Sequence, residues 1–329
     1  MVDLGETFLI GKTDMESTAL EMMKQKKRKR DWGATIFICL MLAYPLAHFC
    51  VFWLYVNFDT FRLTFFHFNS QTAQYEWFGF ERFAILFRDM FMGEDIAIQN
   101  NLRNSLLCFP VQNFIILPLS FIIAFLLSKQ LAGTSAYRVI FFLPSILSVV
   151  VLAMSFRFMF DVDFGPVDSA LSKLFGADVD WFSSLSPTAM PLVFLFGIWA
   201  GLGYNAVLIN GAIKRIPQEI FEAAKLDGVG LWREMVQMVL PLCMPTITTL
   251  FIIGSMSIFG YYLQPMLLCG ETGGVNGSTG TIALRVMQLM QGGDTESAAA
   301  LGLFFSILGV PFVLFIKWFM EKITPDVDF

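Results

Sequence analysis

The chain has 329 residues, 56% of them hydrophobic and 15% charged, with a formal net charge of −5. Soluble domains sit near half apolar and a quarter charged, and here the apolar residues come in long uncharged runs, which excludes an ordinary soluble fold. The net charge says little about ligands, because the charged residues are divided between two aqueous phases.

Residues 1–31 are polar and charged, with neither an apolar core nor a small-residue cleavage site, so they read as a cytoplasmic tail and not as a signal peptide. They end in Lys24-Gln25-Lys26-Lys27-Arg28-Lys29-Arg30. Directly before an apolar run, such a cluster is a topology signal that holds the N-terminus inside. About 20 apolar residues match a hydrocarbon layer of roughly 30 Å. Six runs meet that length: Ala34 to Val56, Ser105 to Ser128, Val139 to Phe158, Thr188 to Ile213, Val239 to Leu268 and Ala299 to Met320. Lipid offers backbone groups no hydrogen-bond partner, so these spans must be helices. The predicted fold class is an all-α polytopic membrane protein with a six-helix domain over 32–329.

With the N-terminus inside, 15 of the 22 Lys and Arg residues fall on inner segments and 6 on outer ones, Arg157 lying at the outer end of the third span. That asymmetry is the one the positive-inside rule requires, and it puts both termini in the cytoplasm. The outer connections are then roughly 57–104, 159–187 and 269–298. The first is aromatic, with Trp77-Phe78-Gly79-Phe80 inside it, and reads either as an amphipathic surface helix or as a contact for an outer partner. The last, Gly270 to Gly280, is loop by composition. Five cysteines (Cys39, Cys50, Cys108, Cys243, Cys269) lie in or at the ends of spans without paired spacing, the pattern of buried thiols. Nine of the 13 prolines fall inside the spans, where each removes a ladder hydrogen bond and bends the helix. Gly197-Ile198-Trp199-Ala200-Gly201 has the spacing of a close helix contact.

Between their ends the spans hold no Asp, Glu, Lys or Arg, and His48 is the one ionisable side chain at depth. Ion-coupled carriers place such groups in the membrane, so the composition argues against a secondary carrier. The stretch Gly5 to Thr13 has five residues between its glycines where a phosphate-cradling loop needs four. Neither a metal-ligand cluster nor a catalytic constellation is present. The sequence therefore predicts a membrane protein that is not an enzyme, with no cofactor or metal on this chain and no nucleic-acid partner. Energy for transport, if it is used, must come from another subunit.

Between the fourth and fifth spans lies a polar island, 214–238. Pro217 suits a first helical turn, Gln218 to Asp227 are good helix formers, and Gly228 stands where a left-handed helix stop belongs. Ile220, Phe221 and Ala224 share a face. After Val229-Gly230 a second arm runs Leu231 to Leu240, and Pro241 re-enters the membrane. Helices of about 11 residues are marginal alone, and Ile220, Phe221, Val229, Leu231 and Trp232 provide the expected docking surface.

Glu222-Ala223-Ala224, Gly228, Met238 and Leu240-Pro241 have the spacing of the "EAA" loop of ABC importer permeases, with Met238 in place of the usual Ile. The surrounding Ile216 to Gly228, with Tyr137 to Pro144 and Trp199 to Tyr204, resembles the binding-protein-dependent carbohydrate branch (type I, MalF/MalG-like). The resemblance covers roughly 30–325. Gly273-Gly274-Val275 departs from a common Gly-Gly-Pro and puts the shape of the outer loop in doubt. The resemblance implies a permease of the bacterial plasma (inner) membrane that pairs with a second permease, in a heterodimer. It implies two ATPase subunits carrying ATP and Mg, and an extracellular or periplasmic solute-binding protein. On the same ground Ile220, Phe221, Glu222, Ala223, Ala224, Asp227 and Gly228 form the coupling helix. For the substrate path, sugars call for hydrogen-bonding and aromatic side chains, and Tyr204, Asn205, Tyr262 and Gln264 are the expected contacts. The alternatives are the same machine carrying another solute, and a self-sufficient channel or carrier, which would take up solute without an ATPase.

Overall fold

The computed structural model describes residues 32–324 except 70, 71, 73, 94, 130–132, 176–179, 184 and 185. The tail over 1–31 and the glycine pair at Gly5 and Gly11 lie outside the described residues. The chain divides after Thr60 into two units. Among the described residues the first unit is helix α1, which runs Trp32–His48, passes through a wide π-helical stretch Phe49–Tyr55 and continues over Val56–Phe65, its final turn belonging to the second unit. The stretch Thr35–Phe65 is 31 residues long, about 46 Å at 1.5 Å per residue, more than a bilayer core requires.

The second unit opens with a hairpin, β1 (Phe66–Asn69) against β2 (Gln74–Trp77), antiparallel with Phe66 opposite Trp77. Helix α2 (Glu81–Phe91) follows. Helix α3 (Ile96–Ser128) is next, its start capped by Asp95, whose carboxylate accepts from the N–H groups of Ala97 and Ile98. The expected outer connection 57–104 is thus shorter than its composition suggests, because α1 extends to Phe65 and α3 begins at Ile96. Between Pro110 and Pro118, α3 widens into a π-helical stretch, Val111–Ile116; a wide turn accommodates the ring and the missing donor of a proline inside a helix.

The third expected span is not one rod. It is α4 (Thr134–Ile146) and α5 (Val149–Met159), bent by 108° at Leu147-Ser148. Both residues of the break are extended, and the proline at Pro144 has already weakened the ladder behind them. Helix α6 (Pro166–Phe175) leads toward α7 (Ala189–Ile213), an unbroken rod. The short helix α8 (Gln218–Leu226) carries the polar island, and α9 runs Leu231–Gly260. The second arm of the island is therefore not a separate helix of about 11 residues. It is the first part of α9, joined to the membrane portion through a π-helical stretch, Glu234–Val239, placed just ahead of Pro241.

The fifth expected span also ends early. Tyr261 leaves helical geometry, and the rest of the apolar run forms α10 (Leu263–Cys269). The break is compensated: the Tyr261 carbonyl accepts from Thr281 Oγ1 at 2.6 Å, and the Tyr261 hydroxyl donates to the Val193 carbonyl at 3.2 Å. Helices α11 (Ile282–Gln291) and α12 (Thr295–Ile323) complete the chain. Among the described residues, five helices are long and apolar enough to cross a membrane, and six if the bent pair α4–α5 counts as one span.

Helix α7 is the central rod of the second unit, packed against α3, α4 and α9. Near its C-terminal end Ile209, Ile213 and Ile216 meet Phe121 and Phe125 of α3 and Met235 and Val239 of α9. Near its N-terminal end Val193 and Phe196 meet Leu152, Phe156 and Leu268. A third cluster holds Met90 of α2 and Ile98 of α3 against Ile258, Ile282 and Leu301. The glycine loop after α10 is bound to α3 by asparagine: Asn104 Nδ2 donates to the carbonyls of Ser278 and Gly280 at 3.0 and 2.9 Å, and Asn100 Nδ2 donates to that of Asn276 at 2.9 Å. The thiols are free, and only Cys108 and Cys243 are buried; Cys39 and Cys50 are exposed, contrary to the expectation of burial.

Candidate functional site

Among the described residues, the loop around α8 and a cavity farther along the bundle bring together the residues expected from the sequence. Helix α8 begins behind Pro217 and stops at Asp227, after which Gly228 takes φ +67°. A left-handed residue there closes the helix end, with the N–H of Val229 donating to the Ala224 carbonyl at 3.0 Å. The open space around Gly228 means that its backbone, not crowding, selects glycine.

The two faces of α8 have different tasks. Ala224 is buried, and Ile220 and Phe221 are partly buried against the core of Phe121, Ile213 and Met235. Ile220 and Phe221 thus attach α8 to its own bundle. Glu219, Glu222, Ala223 and Leu226 lie at the i, i+3, i+4, i+7 spacing of one helical face, and all four are exposed. Leu226 is 89% exposed, and beyond the turn Trp232 is 71% exposed and Leu231 56%. Asp227 and Gly228 are exposed beside them. The outward surface is therefore an acidic ridge next to bare apolar side chains. The sequence reading passed over Leu226, although its i+4 relation to Glu222 placed it on the same side.

The cavity has a volume of about 340 Å³ and is walled by α3, the α4–α5 bend, α7, and the segment from α9 to α10. Its polar lining comes from Gln112, Ser145, Tyr204, Ser257, Tyr261 and Gln264, set among apolar residues such as Ile116, Leu152 and Phe196. Gly197 and Gly201 also line it, which gives the close-contact glycine pair a position within this chain: Gly197 faces the Tyr261 hydroxyl and Gly201 faces Ile116. A Cβ on Gly197 would stand 2.6 Å from that hydroxyl. Of the four expected path residues, the structure brings Tyr204 and Gln264 to this wall. Tyr262 lines a different cavity of about 320 Å³ with Phe259, Met287 and Phe305. Asn205 is 4% exposed and lines neither. Both helix breaks border the first cavity, through Ser145, Leu147 and Val149 on one side and Tyr261 on the other.

Residues 116–328 match the family model of the binding-protein-dependent transport system inner membrane component. This chain belongs to that family. It is accordingly a membrane-spanning transport component of the inner membrane. Among similar proteins is the diacetylchitobiose uptake system permease protein NgcF of Streptomyces coelicolor, 28% identical over 280 residues that cover 81% of this chain and 76% of that one. The maltose/maltodextrin transport system permease protein MalF of Shigella flexneri is 31% identical over 140 residues, covering 43% of this chain and 27% of MalF. In structure, this permease resembles a chain of a bacterial alginate ABC transporter crystallised in complex with an alginate pentasaccharide-bound periplasmic protein. The TM-score is 0.77 at 20% identity, with 92% of this chain and 100% of that chain covered.

Proposed function

We propose that this permease is one membrane half of an ATP-binding-cassette importer that brings a carbohydrate, an oligosaccharide or glycoside, into the cytoplasm. ATP and Mg act on a separate ATPase subunit, a second permease completes the pathway, and a solute-binding protein delivers the solute from outside. The observation that carries this reading is the outward face of α8, with Glu219, Glu222, Ala223 and Leu226 exposed while the opposite face is anchored in the bundle. A short helix with one face secured and the other bare is suited to transmit a push from a second protein.

The substrate class is supported by the uptake of diacetylchitobiose and of maltose for which NgcF and MalF are named and by the mixed lining of the cavity. Tyr204, Tyr261, Gln112 and Gln264 offer hydroxyl and amide groups for sugar hydroxyls, on a wall otherwise apolar. The Lys and Arg excess on 1–31, 129–138 and 214–238 supports an inner position for both termini and for α8. Closure of the ATPase moves α8, and the pieces joined at Leu147-Ser148 and at Tyr261 change the access to the cavity, a hinge movement of packed helices.

Glu222→Lys and Leu226→Asp, made in the chain co-expressed with its ATPase, are expected to insert normally, lose the ATPase on purification and abolish uptake of labelled maltose or diacetylchitobiose. Retention of the ATPase by both variants at undiminished uptake would overturn the proposal.

A further inference from the structure

One ammonium group joins three segments at the inner end of the bundle. Lys129 caps the end of α3, and its Nζ forms an ion pair with Glu234, 105 positions away at the start of the π-helical stretch of α9. The same ammonium lies 5.0 Å from the ring centroid of Phe125 on α3 and 5.3 Å from that of Phe221 on α8. Both charged side chains are largely buried, at 20% and 12% exposure. A charge pair removed from water is costly unless each partner keeps the other, and the two aromatic faces add cation–π attraction to the same nitrogen. Neither the motif spacing nor the packing of α8 requires a lysine here.

We infer that Lys129 is a positioning residue that pins α8 to the inner ends of α3 and α9, so that a displacement of α8 passes into both spans and not only into the turns that flank it. The role in transport rests on the function proposed above; the pin itself does not. Without the lysine, Glu234 is left buried and uncompensated, Phe221 loses its cation, and α8 is held by apolar contacts alone.

Amide exchange of the full chain in nanodiscs tests the pin without ATPase or solute. In Lys129→Met the amides of 218–226 are expected to exchange roughly tenfold faster or more, while those of 189–213 are unchanged. Lys129→Arg, which keeps a cation for Glu234 and for both rings, is expected to keep the slow rate, and Phe221→Leu, which removes one ring alone, is expected to raise it; this second variant carries the test if Lys129→Met does not fold. Wild-type exchange in both Lys129→Met and Phe221→Leu, or fast exchange in Lys129→Arg, would overturn the pin.

Transmission is read in the assembled importer from a reporter thiol, Ser145→Cys, placed in both proteins at an exposed position of the cavity wall. Its alkylation by N-ethylmaleimide, followed peptide by peptide, should change on trapping with ATP and vanadate in the wild type and stay constant in Lys129→Met. A change of wild-type size in that variant would overturn the transmitting role. Constant alkylation in the wild-type importer itself would overturn the proposed function and leave the pin intact.

Discussion

Arg82 and Glu296 stand 214 positions apart in the chain and form an ion pair that joins α2 to α12. Glu296 occupies the first turn of α12, where a carboxylate also complements the helix dipole. Its Oε1 accepts from the Phe68 N–H at 2.7 Å, and its Oε2 lies 2.8 Å from His67 Nδ1. Arg82 in turn donates to the carbonyls of Leu63, Thr64 and Phe66. One carboxylate thus holds the hairpin and α2 to the start of the last span, in a region whose sequence shows only aromatic loop.

Glu296→Ala removes the carboxylate that pairs with Arg82, whose side chain is 11% exposed. Leaving one partner of a largely buried pair uncompensated costs about 3 kcal/mol. The melting temperature of the purified chain in detergent should fall, and amides of 66–91 should exchange faster. Glu296→Gln, which keeps an acceptor for Phe68, should fall by less. Equal melting of all three proteins would show that the contact contributes nothing.

The turn after α8 yields a prediction that depends on backbone alone. Gly228 has φ +67° and open space around the position of a Cβ. A β-branched residue there costs about 1–2 kcal/mol from its left-handed conformation, whereas Asn visits that region readily. Gly228→Asn should therefore retain the ATPase and uptake, and Gly228→Val should lose much of both while inserting normally. The decisive measurement is co-purified ATPase per permease; a ranking with Val above Asn would contradict the geometry.

The two faces of α8 should separate by assay. Phe221→Ala removes a partly buried ring from the inner core and should lower the melting temperature, by about 2 kcal/mol of stability on the scale of partly buried aromatic truncations. Leu226→Ala and Trp232→Ala remove exposed side chains; they should leave melting unchanged and weaken the hold on the ATPase. If Leu226→Ala and Trp232→Ala melted early and kept the ATPase, the outward face would have been assigned to the wrong side.

Much of this arrangement was legible because it rests on one-dimensional signals. A 20-residue apolar run needs no partner to be recognised, and Pro217 and Gly228 mark the two ends of α8 by chemistry local to each. The break at Leu147-Ser148 was not legible, since Val139 to Phe158 is apolar on both sides of it and Pro144 alone gives no angle. The direction of α8 was also hidden: Ile220, Phe221 and Leu226 are all apolar, and only contacts with Phe121 and Met235 decide which of them turns inward. The pairs Lys129–Glu234 and Arg82–Glu296 join residues more than a hundred positions apart, beyond any local pattern. The same holds for the cavity, whose wall draws on four stretches of chain and so divided the expected path residues.

That division gives the last prediction. Gln264 lies on the cavity wall, and losing one hydrogen bond to a bound solute costs about 0.5–1.5 kcal/mol, or about 2- to 13-fold in half-saturation. Gln264→Ala should raise the half-saturation of uptake by that factor at unchanged melting. Asn205, buried away from the cavity, should act through the fold: Asn205→Ala shifts melting and leaves half-saturation where it was. Tyr262 faces the second cavity, so Tyr262→Phe should change neither. Uptake kinetics and thermal melts on the same three preparations distinguish these outcomes. A half-saturation that moved with Tyr262 and not with Gln264 would transfer the solute path to the second cavity.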